Sequence, residues 1–131
     1  MYRSFKADYQ FGKQKETEVL DRIQEYFKDN IRPTEGGYNR YDFQGDTKLY
    51  ELKSRTNTYQ AYPTTMIPKN KLKENVILLF NFTDGLYYIE YNQEQFSKYT
   101  VSLFRRNNRV DHCDKQNEYV YIPVSDLTKI E

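Results

Sequence analysis

Apolar and polar residues alternate in two short segments near the middle of the chain, residues 41–43 and 50–55. This period of two is typical of β-strands with one buried and one exposed face. Residues 44–47, which follow the first segment, have the composition of a turn. The pattern therefore predicts a β-hairpin whose tight turn is centred on Gly45 and Asp46.

The predicted hairpin gathers charged side chains on one face. In this register Asp42 faces Leu49, and residues two apart along a strand point to the same side of a sheet. Asp42, Leu49, Glu51 and Lys53 therefore share a face, with the two carboxylates as diagonal neighbours and the ammonium one step beyond. Such a group is a candidate divalent-metal site with a lysine beside it. The alternative is a solvated cross-strand charge cluster, which is common in sheets.

A helix is predicted over residues 10–28, upstream of the hairpin. Glu16 falls inside the apolar stripe of this helix, where a carboxylate is costly unless something pairs with it. We interpret Glu16 as a third acid of the site, although a solvated position near the helix start is the alternative. The residues that define the stripe are Val19, Leu20, Ile23, Tyr26 and Phe27.

The remaining pattern predicts further strands and three short helical segments. A continuous apolar run at residues 76–80 is typical of a strand buried on both faces. A polar loop is expected before it, over residues 56–65. The other expectations are an edge strand within 31–35, a short helix from Pro68, strands at 86–91, 100–104 and 119–123, one or two helical turns within 92–99, and a terminal helix capped by Ser125.

The charged face carries a resemblance to a known family. Asp42 followed on the next strand by Glu51-x-Lys53 resembles the signature of the PD-(D/E)xK nuclease superfamily. The longer string from Glu51 to Arg55 is similar to that of the archaeal-type Holliday-junction resolvases within it. Tyr41 stands where this motif has proline, the least chemical position of the motif.

The spacing of Gly12 and Glu16 also resembles the first helix of the junction resolvases. The motifs cover residues 12–55, and the order of elements agrees to about residue 82. The resemblance implies an α/β fold (α+β with a mixed sheet): a restriction-endonuclease-like αβββαβ core with an antiparallel C-terminal extension. The whole chain, 1–131, is expected to form one such domain.

The resemblance implies a metal-dependent DNA endonuclease, most like a Holliday-junction resolvase, that leaves 5′-phosphate and 3′-hydroxyl ends. Mg²⁺ is the expected ion, with Mn²⁺ substituting for it. Asp42, Glu51, the Leu52 carbonyl and Glu16 are the expected ligands, and Lys53 would orient or deprotonate the attacking water. Glu16, Asp42, Glu51 and Lys53 are thus the predicted catalytic residues.

A homodimer is also implied, because two strands of a junction are cut symmetrically. The strand of Val120 and Ile122, or that of Tyr87 and Tyr88, is a candidate interface. The alternatives are a restriction or nicking nuclease on duplex or flapped DNA, a non-catalytic nucleic-acid-binding module of the same fold, and a protein-interaction domain with a tyrosine-rich surface.

Charge and composition add limits to this picture. The net charge is +1, so contacts to DNA must come from local basic groups rather than from the whole molecule. The single cysteine excludes an internal disulfide, and the absence of a long apolar run excludes a membrane span, so an intracellular protein is expected. The candidate DNA-binding residues are Arg55, Thr64, Thr65, Lys69, Lys71, Arg105 and Arg106; ordinary solvated faces are the alternative for them.

Overall fold

The chain has a mixed α+β fold in the computed structural model, which describes residues 17–34, 41–104 and 117–130. Helix α1 covers residues 17–27 of the described chain, and a short helix, α2, covers Gln93–Phe96. Single 3-10 turns cover Lys69–Lys71 and Val124–Asp126. The strands are β1 Arg32–Pro33, β2 Phe43–Gln44, β3 Leu49–Ser54, β4 Thr64–Pro68, β5 Val76–Phe82, β6 Gly85–Glu90, β7 Thr100–Phe104, β8 Asn117–Pro123 and β9 Thr128–Lys129.

Six strands form a mixed sheet in the order β1-β2-β3-β5-β6-β9. Strands β3 and β5 are parallel, and every other neighbouring pair is antiparallel. Strand β5 carries the continuous apolar run, and residues 76–80 are all buried, as predicted. The helix, the three strands that follow it and the later parallel strand occur in the predicted order.

The six-stranded sheet separates two apolar cores. On one face, Val19 and Ile23 of α1 pack in a cluster with Ile77 and Leu79 of β5. On the other face lies a three-stranded antiparallel sheet in the order β4-β8-β7. Its buried residues Ile67, Val120 and Ile122 share a core with Val76, Leu78 and Phe80. Because side chains alternate along a strand, Glu51 and Lys53 point toward the second sheet and away from α1.

The hairpin of β2 and β3 forms with a register two residues away from the predicted one. Phe43 pairs with Tyr50 and Gln44 with Leu49, and Gly45 N–H donates to Lys48 O at 2.8 Å. Asp46 and Thr47 are therefore the central residues of the turn. A shift of two residues leaves every side chain on its predicted face, because the side-chain period of a strand is two.

Asp29, just after α1, fixes this turn. Its carboxylate accepts hydrogen bonds from Asp46 N at 3.1 Å and from the Tyr50 hydroxyl at 3.0 Å. These bonds lower the pKa of Asp29, the backbone bond from Asp46 having the largest effect. A Cβ atom at Gly45 would collide with the same carboxylate. A larger residue at position 45 would therefore force the Asp29 carboxylate to move and would disturb its bonds to the turn.

The connection between the parallel strands β3 and β5 differs from the prediction. Residues 64–68 form β4 instead of belonging to a loop, and Pro68 is followed by a single 3-10 turn instead of an α-helix. Leu72 is already extended, and Asn75 adopts a positive φ of 67° at the entry to β5. Too few residues remain between Pro68 and β5 for a stable helix. The second helix of the predicted αβββαβ core is thus absent from the described crossover.

The predicted terminal helix is also wrong. Ser125 lies inside the 3-10 turn Val124–Asp126, and Thr128–Lys129 pairs with β6. Leu127 and Ile130 are both buried, but they belong to different cores. A spacing of three resembles a helix face in sequence, whereas in an extended chain it sends the two side chains to opposite faces.

Three structural findings bear on the expected partners and location. Val120 and Ile122 lie on the middle strand of the second sheet and are 2% and 0% exposed, so they are unavailable as a dimer interface. On the other candidate interface strand, the Tyr87 ring stacks on the Tyr59 ring of the same chain, with ring centroids 4.1 Å apart. Neither helix in the described part of the chain has the length and apolar character needed to cross a bilayer.

Candidate active site

The candidate site lies where β2 and β3 part. Before Phe43 the regular ladder ends, and Asp42 N–H donates to Tyr50 O at 3.1 Å. The Asp42 side chain then substitutes for a backbone partner, since its Oδ2 accepts the N–H of Leu52 at 2.8 Å. A carboxylate that accepts a backbone N–H is held firmly, because the bond is charge-assisted.

Thr34, which follows β1, holds the backbone on the other side of Asp42. Its N–H donates to Asp42 O at 3.2 Å, and its hydroxyl donates to Tyr41 O at 2.6 Å. Asp42 is therefore fixed through both its carbonyl and its carboxylate. The position at which the two strands separate is well defined as a result.

Glu51 occupies the buried centre of the site. It is 4% exposed, and the Asp42 carboxylate is its neighbour. Burial and, to a smaller extent, the neighbouring Asp42 carboxylate raise the pKa of Glu51 to about 7, against the lowering effect of the Lys71 ammonium. Two carboxylates that meet in a dry site favour a shared proton or a bound cation.

Lys71 is the ammonium that faces Glu51. Its Nζ lies 2.9 Å from Glu51 Oε2, in an ion pair. The contact is not aligned as a hydrogen bond, and this buried oxygen has no hydrogen-bond partner in the described residues. Tyr41 positions the lysine, because its hydroxyl donates to Lys71 O at 3.0 Å and its ring centroid lies 5.5 Å from Lys71 Nζ.

Lys53 follows Glu51 by two residues on the same face of β3. Its side chain is partly buried, beside Phe80 of β5 in the parallel register. Asp42, Glu51 and Lys53 therefore lie on one side of the sheet, as the sequence predicts. The structure adds a second ammonium, that of Lys71, to the predicted one.

The Asp42–Glu51 pair fits a hard divalent cation. Glu51 Oε2 is buried and lacks a hydrogen bond among the described residues, and carboxylate oxygens are the ligands that Mg²⁺ prefers. Within residues 17–34, 41–104 and 117–130, no three acid, histidine or cysteine side chains cluster as a metal site. The predicted third acid, Glu16, lies outside the described residues. The sheet separates the described part of α1 from Asp42 and Glu51.

A cleft of about 780 Å³ opens between residues 18–22 of α1 and the carboxyl ends of the parallel strands. Glu18 and Arg22 of α1 line it, together with Ser54 at the end of β3 and Arg55 just after it. Lys129 of β9 adds a third basic residue. Clefts at the carboxyl ends of parallel strands are frequent ligand sites in α/β folds.

The predicted DNA-binding residues that the structure describes differ in their surroundings. Arg55 is half-buried and donates from Nε to Thr65 Oγ1 at 3.2 Å and from Nη2 to Met66 O at 2.6 Å, which joins the two sheets. Thr64 is exposed. Lys69 pairs with Glu118 at 3.1 Å on the surface. Arg105 and Arg106 lie outside the described residues.

Sequence reasoning missed the roles of Thr34, Tyr41 and Lys71 in this site. The run of basic residues predicts a DNA contact for Lys71, and nothing in that run distinguishes Lys71 from Lys69. Tyr41 carried a signal, since it stands where the motif of the resemblance has proline. The structure gives that tyrosine a hydroxyl bond and a ring contact that no proline can make.

The raised pKa of Glu51 makes a prediction for the metal-free protein. Because its folded-state pKa of about 7 exceeds its ordinary value of 4.5, the folded state binds this proton more tightly than the unfolded chain does. The resulting stability is fully present below pH 4.5 and is lost as the pH rises through 7. We expect the unfolding free energy of wild type relative to Glu51→Gln to fall by about 3 kcal/mol between pH 4.5 and 8.

Chemical denaturation in EDTA at several pH values measures this difference. Glu74→Gln, in an exposed stretch just before β5, controls for the loss of one carboxylate. A wild-type and Glu51→Gln difference that does not change with pH contradicts the description of Glu51 as a desolvated acid.

Comparison with known protein families supports the class suggested by this geometry. The family described as "phage putative PDDEXK endonuclease" matches residues 39–130, which is more than half of the chain and includes Asp42, Glu51 and Lys53. This match places the protein in the PD-(D/E)xK superfamily, a class of nucleases, and confirms the superfamily predicted from the sequence. The chain belongs to the phage PDDEXK endonuclease family. Neither a curated protein nor a solved structure gave a match.

Proposed function

We propose that this protein is a divalent-cation-dependent DNA endonuclease that hydrolyses phosphodiester bonds with Asp42, Glu51 and Lys53. One observation carries the proposal: the carboxylate of Asp42, just before β2, lies beside the buried carboxylate of Glu51 in β3, and an ammonium projects from the same face. The membership of the chain in an endonuclease family supports this assignment.

Asp42 and Glu51 would hold Mg²⁺, or Mn²⁺ in its place. The Leu52 carbonyl would add a neutral oxygen and Glu16 a further carboxylate, as the superfamily resemblance implies. A bound Mg²⁺ would screen the phosphate charge and lower the pKa of a bound water. The burial of Glu51 supports the assignment, because a desolvated carboxylate gains most from a cation.

Lys53 would act on the attacking water and on the phosphate. Its Nζ would donate to a non-bridging phosphate oxygen, and it would orient or deprotonate the attacking water. The rigid β3–β5 ladder supports this role, because it fixes the spacing of Lys53 and Glu51. Asp42 keeps its orientation through the Leu52 N–H throughout the reaction.

Branched DNA is the proposed substrate, by resemblance to the junction resolvases, with plain or flapped duplex as the alternative. A homodimer would suit two symmetric cuts. Val101 and Leu103 of β7 are 45% and 57% exposed, and β7 pairs on one side only within the described strands. This edge is our candidate for the contact between two copies.

A cleavage assay tests the proposal directly. The protein is incubated with a four-way junction, a flapped duplex, a linear duplex and single strands, in Mg²⁺, in Mn²⁺ and in EDTA. We expect cleavage with Mg²⁺ or Mn²⁺ that stops in EDTA and returns when metal is restored. The products should carry 5′-phosphate and 3′-hydroxyl ends.

Each of the other outcomes would indicate a different function for this protein. Cleavage that persists in EDTA would show that the reaction does not depend on a divalent cation. Binding to DNA without cutting in any metal would favour the non-catalytic module. Neither binding nor cutting would leave an interaction domain.

A further inference from the structure

Lys71 occupies the position at the Asp42–Glu51 pair that a cation would take. Its Nζ lies 2.9 Å from Glu51 Oε2, and this oxygen is buried and has no hydrogen bond from the described chain. The Lys71 side chain is 23% exposed, so its ammonium sits at the mouth of the site rather than deep in the core. The contact supplies the positive charge that the two carboxylates require when no ion is present.

Hydrogen bonds hold the backbone of Lys71, and its side chain is partly exposed. The Tyr41 hydroxyl holds Lys71 O at 3.0 Å, and Leu72 N–H closes the 3-10 turn on Lys69 O at 3.1 Å. The Tyr41 ring centroid lies 5.5 Å from the ammonium groups of both Lys71 and Lys73. The Tyr41 ring thus offers the Lys71 ammonium a cation–π contact close to Glu51.

An ammonium and a divalent cation repel each other and compete for the same carboxylate oxygen. Both bind Glu51 Oε2 through charge, and two cations within a few ångströms of one another in a partly dry site are strongly unfavourable. A metal ion that binds Asp42 and Glu51 therefore has to displace Lys71 from Oε2.

We propose that Lys71 is an internal counter-cation, which neutralises Glu51 in the metal-free protein and leaves it when a divalent cation binds. This inference rests on the proposed metal site and adds a residue that sets its affinity. Lys53, two residues from Glu51 along β3, has a separate role in the reaction. Lys71 would weaken metal binding and release its own ammonium toward the exposed edge of the site.

Metal binding by variants tests the proposal without any measurement of cleavage. Mn²⁺ alone is titrated into wild type, Lys71→Met and Lys71→Gln, and free Mn²⁺ is measured by electron paramagnetic resonance. We expect both variants to bind Mn²⁺ about tenfold or more tightly than wild type, because a charge-assisted contact no longer has to be broken. Lys69→Met is the matched control, since Lys69 has the same charge but pairs with Glu118, and its affinity should equal that of wild type.

A second measurement needs no variant. Reductive methylation followed by mass spectrometry reports how accessible each lysine amine is. Mg²⁺ should increase the modification of Lys71 severalfold and leave that of Lys69 unchanged, because only Lys71 leaves a carboxylate when the metal enters.

The outcomes separate the two proposals. Equal Mn²⁺ affinity in wild type and both Lys71 variants, or Mg²⁺-independent methylation of Lys71, overturns the counter-cation role and leaves the metal site intact. An equal gain in Mn²⁺ affinity in Lys69→Met would show that the loss of any nearby positive charge has the same effect. This result would also overturn the counter-cation role. Absence of Mn²⁺ binding in wild type and variants alike overturns the proposed metal site, and the counter-cation role with it.

Discussion

Asp42→Asn should reduce DNA cleavage by a factor of about 10³ or more. A divalent cation contributes several kcal/mol to stabilising the transition state, and each ~1.4 kcal/mol corresponds to a tenfold change in rate. The amide removes one of the two carboxylates that would hold the ion. The fold should survive, because the amide oxygen of asparagine can still accept the Leu52 N–H. Single-turnover cleavage at saturating protein measures the effect.

Asp46→Asn is the matched control for this prediction. Asp46 belongs to the same hairpin and loses the same charge, but its side chain is 65% exposed and lies in the turn. Its cleavage rate should stay within about twofold of wild type, the range expected for an exposed surface change. Near-normal cleavage by a folded Asp42→Asn would remove Asp42 from the reaction.

Lys53→Met should abolish most cleavage while metal binding is retained. General acid–base catalysis and phosphate contacts together contribute about 10² to 10⁴ in rate, and methionine keeps the length of the side chain without its charge. Because Lys53 does not hold the ion in our proposal, Mn²⁺ affinity should change little. The two measurements, cleavage rate and Mn²⁺ affinity, therefore separate Lys53 from Asp42.

The control for this variant is Lys48→Met, which lies just before β3. Lys48 pairs with Glu90 at 3.0 Å, away from the candidate site. It should cleave at close to the wild-type rate. Retained cleavage in Lys53→Met would transfer the role of the catalytic amine to another residue, with Lys71 as the first to examine.

The shared face of Asp42, Glu51 and Lys53 was predictable from the sequence because successive side chains in a strand point to opposite faces. The face therefore depends only on whether a residue's position in the strand is odd or even, that is, on its parity. The predicted turn was displaced, yet a register error of two residues preserves parity, so the charged face was correct. The apolar run of β5 was equally predictable, since a strand buried on both faces needs no alternation.

The crossover and the second sheet were less predictable because their residues carry weaker periodic signals. Strand β4 ends in proline and begins after a polar stretch, so it resembles a loop until β8 pairs with it. The contact of Lys71 with Glu51 joins residues 20 positions apart through a turn whose geometry no sequence period encodes. Sequence likewise does not reveal that Arg55, the predicted phosphate contact, also donates to Thr65 and Met66 between the two sheets.

The burial of Glu51 has a consequence for how this protein would respond to selection. A desolvated acid destabilises the native state at neutral pH, and proteins commonly exchange such stability for activity at functional sites. Variants selected only for resistance to heat should therefore accumulate neutral residues at position 51, and they should do so at the expense of the chemistry. Heat resistance and nuclease activity would then favour different residues at position 51.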